Sequence, residues 1–211
     1  MTEVFDFRKL KGPCDGEGSQ SYSLACPVFF VGFMGAGKTS AARKLARLAG
    51  VASIDMDTYI ERRIDMKVSE LFAEQGEAAF RAIETRVLRE LANGDPILVS
   101  CGGGVVLAEQ NRQILKEGGF VIYLQVTAEE AASRISDFST RPLFSDLQNA
   151  QRIIEGRLPL YEEVADAVID TAGRGSTAIA RQAFRLLKGR GILVAEPKAD
   201  AADASAESGR D

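Results

Sequence analysis

The feature that most constrains this chain is the octapeptide Gly32-Phe33-Met34-Gly35-Ala36-Gly37-Lys38-Thr39, a match to GxxxxGK[ST]. A short apolar run, Val28–Val31, leads into it, and helix formers from Lys38 to Leu48 follow, ending at Gly50. Strand, glycine loop and helix in that order build a phosphate cradle. Glycines let the backbone turn tightly, so its N–H groups point inward at phosphate oxygens. The helix N-terminus adds positive potential. Lys38 has the reach for β- and γ-phosphates, and the Thr39 hydroxyl is a hard ligand for Mg²⁺. Such a loop serves this purpose only at the carboxyl end of a strand in an α/β sheet.

The rest of the chain agrees with that architecture. Apolar runs of strand length recur at Val51–Ile54, Ile97–Val99, Val121–Leu124 and Ala167–Ile169, each before a helical pattern. With Val28–Val31 they predict five strands of a parallel sheet buried on both faces. Phe80, Ile83, Val87 and Leu91 share one face of a helix over Glu77–Ala92, stopped by Asn93-Gly94. Thr127 and Glu130 read as a capping box. Residues 134–147 are polar, broken by Pro142 and without a clean period, which suits a lid. Residues 1–25 read as a loose arm, and 195–211 as an acidic tail too poor in large apolar residues to order itself. The folded domain is therefore expected over 26–194.

Composition narrows the chemistry. The 211 residues contain no histidine, which removes Ser-His-Asp or Cys-His catalysis and histidine-ligated metals. Cys14, Cys26 and Cys101 stand far apart without a CxxC, so a zinc ribbon or disulfide framework is not expected. The net charge of −4 comes with no basic block, which disfavours a nucleic-acid partner. The longest apolar run falls well short of the roughly 18 residues of a membrane span. The charged first residues lack the apolar core of a signal peptide. A cytoplasmic protein without membrane or nucleic-acid partners is expected. Carboxylates, Lys, Arg, backbone amides and hard cations remain for chemistry.

Four further groups supply them. Asp55-Met56-Asp57 ends the second run, and strand alternation would send both carboxylates to one side. One would hold Mg²⁺ through water, and the other would orient or deprotonate a hydroxyl. In isolation Asp57 fits a helix N-cap equally well. Arg81 and Glu84 are i,i+3 neighbours, either a guanidinium braced for a substrate carboxylate or a plain surface ion pair. Gly102-Gly103-Gly104 follows the third run, as a flexible turn or as amides that approach a ligand. Arg134, Arg141 and Arg157 complete the set, with Arg141 in the lid and Arg157 late in a helix interrupted by Pro159.

In order, GFMGAGKT, DMD, FRAIE, GGG, RPLF and RLPLY resemble the shikimate kinase family over about Pro27 to Leu187. The resemblance implies a three-layer αβα P-loop kinase whose five-stranded parallel sheet has the order 2-3-1-4-5. It implies transfer of the γ-phosphate of ATP to the 3-hydroxyl of shikimate, within chorismate biosynthesis, by a monomer. By motif, Gly35, Ala36, Gly37, Lys38, Thr39 and Ser40 would hold the ATP phosphates. Thr39 and Asp55 would serve Mg²⁺. Asp57 would bind shikimate hydroxyls and act as the base. Arg81 and Arg157 would clamp the shikimate carboxylate, and Gly103 and Gly104 would offer backbone donors. Arg141 would close over the phosphates, joining Lys38 and Asp57 as a catalytic group, while Arg134 and Arg174 would flank adenine.

The lid departs from the family pattern, because Ile135–Thr140 lacks glycines and carries Asp137 and Phe138. Other readings are a kinase for another polyol acid such as gluconate, a nucleoside-monophosphate kinase, or a catalytically silent relative. A silent relative should have lost Lys38, Asp57 or a clamp arginine, and all are present.

Overall fold

The computed structural model describes residues 20–134 and 147–197. Five strands form one parallel sheet: β2 (Val28–Val31), β3 (Ser53–Asp55), β4 (Leu98–Ser100), β5 (Phe120–Gln125) and β6 (Ala167–Asp170), in the order β3-β4-β2-β5-β6. Counted within that sheet, this is the expected order 2-3-1-4-5. All four residues of β2 are buried. Val28 and Phe30 pack on one face, and Phe29 and Val31 on the other. A strand covered on both sides reads as an unbroken apolar run because neither face meets water.

The helices form the outer layers. Helix α1 (Lys38–Ala49) packs with α7 (Ser176–Gly189) on the Val28/Phe30 face, through Ala42, Leu45, Ala46, Ile179, Ala180 and Ala183. Small residues at the contact let the two helices approach closely. The opposite face is covered by α2 (Met56–Ile64), α3 (Val68–Ala92), α4 (Glu109–Gly118) and α6 (Leu147–Val164), through Met56, Ile60, Leu88, Leu91, Leu115 and Tyr161. The short α5 (Ala128–Ser133) follows β5.

Some boundaries differ from expectation for identifiable reasons. Helical structure starts at Val68 rather than Glu77, with a break at Gly76, where φ is 78°. Before Gly76 only Leu71 is buried, with Val68 packed partly against the core, too few apolar positions to show the period that marks Glu77–Ala92. Thr127 does accept the Glu130 N–H at 3.3 Å, but the Glu130 carboxylate turns to Gly173 N at 2.5 Å instead of closing a capping box. The stretch assigned to the N-terminal arm also contributes structure. Its residues Tyr22–Leu24 form β1, antiparallel to β7 (Leu193–Ala195). Tyr22 and Leu24 are buried, and Tyr22 meets Phe184 of α7 edge-on with ring centroids 5.1 Å apart. Three residues are too few to show a period, so this pairing was invisible beside the Gly- and Ser-rich stretch before it. The expected acidic tail, 195–211, also begins with structure, since Ala195 pairs with Tyr22 and Glu196 N–H donates to the Ser21 carbonyl at 2.8 Å; arm residues up to 19, tail residues from 198 and lid residues 135–146 lie outside the described residues.

Candidate active site

A cavity of about 620 Å³ opens at the carboxyl ends of the sheet strands, within the size range of small-molecule sites. The glycine loop forms one wall. Gly32, Gly35 and Gly37 have φ of 141°, 80° and 85°, a region that L side chains rarely adopt. At Gly35 a Cβ would lie 2.8 Å from the Ala131 carbonyl oxygen, so α5 can pack on the loop only against glycine. Helix α1 begins at Lys38 with no side-chain cap and no acid in its first turn, leaving its early N–H groups for an anion. Ser40 and Gly35 line the cavity, whereas Ala36 is buried behind it. The Lys38 ammonium donates to the carbonyls of Gly32 at 2.8 Å and Phe33 at 3.0 Å. Those carbonyls hold a buried cation at the loop.

Next to the loop lies a cluster of oxygens. The Thr39 hydroxyl donates to Asp55 Oδ2 at 2.7 Å and sits 3.1 Å from Ser100 Oγ. Asp55 also caps α2, where its Oδ1 accepts the Thr58 N–H at 3.1 Å. The strand therefore ends at Asp55, and Asp57 occupies the first turn of α2. Strand alternation is not what brings the two acids together. A helix start does so, with Asp55 rather than Asp57 as its cap, and both line the cavity. The surrounding protein pushes the Asp57 carboxyl above its ordinary range, the Asp55 charge adds to this, and Lys38 and Arg81 draw it back.

Beyond Asp57 the glycine triplet is packed against charged side chains. A Cβ on Gly102 would lie 2.9 Å from Asp57 Oδ1 and 3.2 Å from Glu84 Oε1, and one on Gly104 would lie 2.5 Å from Arg81 Nη2. Arg81 is held from two sides, by Glu84 Oε2 at 2.8 Å and Glu77 Oε1 at 2.9 Å. Only 1% of the Glu84 side chain is exposed, which excludes a plain surface ion pair. Burial pushes the Glu84 carboxyl up, and Arg81 opposes this. Arg81, Gly104 and Arg157 do not themselves line the 620 Å³ cavity. They adjoin its wall. Arg81 touches Gly104, and the Arg157 guanidinium lies 5.9 Å from the centre of the Phe33 ring in the glycine loop.

The far end of the cavity is formed by Arg134, Arg174, Gly175, Ser176 and Ile179. Arg134 donates to the Thr171 carbonyl at 2.7 Å and the Thr171 hydroxyl at 3.1 Å. Arg174 donates to the Asp170 carbonyl at 3.2 Å and to Gln182. Lid residue Arg141 lies outside the described residues. Sequence reasoning missed Ser100, Thr171 and Glu130. Ser100 carried a usable signal, as a polar residue closing an apolar strand before the glycine triplet. Thr171 meets Arg134 only through the fold, whereas Glu130 pairs with Arg134 at i,i+4 and reaches Gly173 only through the fold. The Cys101 thiol is fully enclosed, and burial pushes its pKa far up, so it takes no part in this chemistry.

The comparisons with known proteins agree with this geometry. A family model described as shikimate kinase matches residues 34–188. The chain belongs to the shikimate kinase family. A shikimate kinase of Bordetella pertussis is 43% identical over 191 residues, covering 83% of this chain and 89% of its own length. The shikimate kinase of Actinobacillus succinogenes is 38% identical over 164 residues, covering 76% of this chain and 94% of its own. Among solved structures, shikimate kinase from Acinetobacter baumannii in complex with shikimate superposes with a TM-score of 0.74 at 34% identity, covering 79% of this chain and 95% of that one. For this shikimate kinase family member, β1 and β7 lie outside the stretch matched by the family model.

Proposed function

We propose that this chain phosphorylates the 3-hydroxyl of shikimate with ATP, giving shikimate 3-phosphate and ADP, as a step of chorismate and aromatic amino acid biosynthesis. One observation carries the reading. The glycine loop with Lys38, the Asp57 carboxylate, Gly102 and Gly103 converge on a single cavity, beside an Arg81 braced by a buried glutamate. A polyphosphate and a small hydroxy acid both find matching chemistry there.

The proposed roles follow from that arrangement. Loop amides from Gly35 to Ser40 bind the phosphates, and Lys38 exchanges its carbonyl partners for phosphate oxygens. The oxygen-only group of Thr39, Asp55 and Ser100 fits Mg²⁺, which favours few protein ligands and keeps its waters and substrate phosphates. Among the described residues there is no cluster of three acids or thiols that would demand a tighter metal cage. When bound, Mg²⁺ would neutralise phosphate charge. Asp57 orients the shikimate hydroxyl and takes its proton as the new oxygen–phosphorus bond forms and the bond to the ADP oxygen breaks. Its raised pKa suits that acceptor role. Arg81 and Arg157 hold the substrate carboxylate, where a planar guanidinium pairs bidentately. Gly103 and Gly104 donate N–H groups to the substrate. Arg134 and Arg174 flank the adenine, and Arg141 closes from the lid.

Most of the work is positioning and charge neutralisation, as phosphoryl transfer requires. We further propose a cytoplasmic monomer. The free thiols of Cys26 and Cys101 accord with a reducing compartment. The test is Mg²⁺-dependent ADP release from ATP with shikimate, gluconate or AMP as acceptor. A response to shikimate alone is expected, and no response to it with ATP still binding would refute the proposal.

A further inference from the structure

Tyr161 lies on α6 four residues after Arg157, so the two side chains share a helix face. Its side chain is fully buried, and its ring stacks on Tyr123 of β5, with centroids 5.1 Å apart and planes at 13°. In that apolar setting a hydroxyl without partners would be costly. Its partner lies in the substrate half of the site: the hydroxyl donates to the Gly103 carbonyl at 2.6 Å.

The bond to Gly103 has a second consequence. The Gly103 carbonyl and the Gly104 N–H belong to one rigid, trans peptide plane and point in opposite directions. Pinning the carbonyl therefore fixes the direction of the Gly104 N–H, on a residue whose Cα lies against the Arg81 guanidinium. We infer that Tyr161 is a positioning residue for substrate binding: from α6, one turn after Arg157, its hydroxyl fixes the Gly103–Gly104 peptide after β4. This rests on the proposed function, which puts the shikimate carboxylate and hydroxyls against those groups. The Gly104 donor then keeps a fixed direction before substrate arrives, and preorganisation of that kind lowers the cost of binding.

Tyr161→Phe tests it, because it keeps the ring and the Tyr123 stack and removes only the hydroxyl. The variant and the unmutated enzyme are compared by steady-state kinetics with each substrate varied, by calorimetric titration with shikimate, and by thermal melting. Loss of one buried hydrogen bond to the site should raise the shikimate KM and Kd about tenfold. The ATP KM should stay within about twofold and Tm within about 4 °C. An unchanged shikimate KM and Kd would overturn the inference. So would equal rises in both KM values with a large fall in Tm, the mark of a purely structural side chain. An unmutated enzyme that binds ATP but shows no shikimate-dependent ADP release would instead refute the proposed function, and this inference with it.

Discussion

Replacing Arg81 with alanine should do two separable things, because Arg81 faces the proposed substrate on one side and a buried acid on the other. Removing one partner of a fully buried ion pair costs about 3–5 kcal/mol, since it strands the other charge. Here the cost is smaller. Arg81 keeps 24% of its side chain exposed, and burial already pushes the Glu84 carboxyl up, so the stranded acid can take a proton. About 2–3 kcal/mol near neutral pH is a reasonable magnitude. For a chain of this length that lowers Tm by about 5–10 °C.

The pH dependence has a definite sign. In the variant the folded-state pKa of Glu84 rises further above its unfolded value. The folded state then binds a proton more tightly than the unfolded one and gains stability as pH falls. The Tm gap to the unmutated protein should therefore narrow towards about pH 5 and widen towards about pH 8. Adding Glu84→Gln removes the stranded charge and should restore at least half of the lost Tm. It should not restore substrate binding. Loss of a charged hydrogen-bonded pair of about 2 kcal/mol raises the shikimate KM about 30-fold in both variants. Differential scanning fluorimetry at the two pH values and an ADP-release assay read both effects. A Tm gap that does not change with pH, with no recovery in the double variant, would refute the buried-charge argument. An unchanged shikimate KM would refute the clamp.

Other substitutions probe the remaining walls. Asp57→Asn should lower kcat by about 10²–10⁴ while the ATP KM stays within about twofold, and near-normal turnover would remove Asp57 as the base. Gly35→Ala forces a side chain into a φ of 80° and against the Ala131 backbone, which cannot yield as a flexible side chain would. Nucleotide affinity measured by calorimetry should fall by about 5- to 150-fold, given a strain of about 1–3 kcal/mol. Tyr22→Ala removes a buried ring from the β1–β7 sheet and its contact with Phe184. Tm should fall by about 5–10 °C with kcat unchanged, which separates the terminal sheet from the chemistry.

The five-stranded sheet was legible because its inner strands β2, β4 and β5 are buried on both faces and read as apolar runs, while the edge strands β3 and β6 are only partly buried but keep short apolar runs. The glycine loop was legible because phosphate binding dictates residue types at fixed spacing. Asp55 and Asp57 were found for an incomplete reason. Their shared cavity follows from a helix cap at Asp55, which the alternation of strand side chains does not describe. The Arg81–Glu84 pair was visible as an i,i+3 spacing, but sequence could not tell a surface pair from one sealed under the glycine triplet. That difference depends on where Gly102 and Gly104 return in space. Tyr161, Thr171 and Glu130 show the general limit. Each acts through a partner at least 37 residues away in sequence, and no local pattern encodes that. The β1–β7 pairing was hidden because it joins three-residue segments from opposite ends of the chain.

Phosphorus–proton correlation spectroscopy of the product formed from ATP, Mg²⁺ and shikimate tests the central claim most directly. The account requires both substrates in one cavity, with the acceptor hydroxyl held at Asp57 beside the glycine loop. A single phosphate ester on the 3-hydroxyl, formed in step with ADP and only with Mg²⁺ present, is the expected result. Inorganic phosphate as the main phosphorus product, or an ester at another hydroxyl, would contradict it.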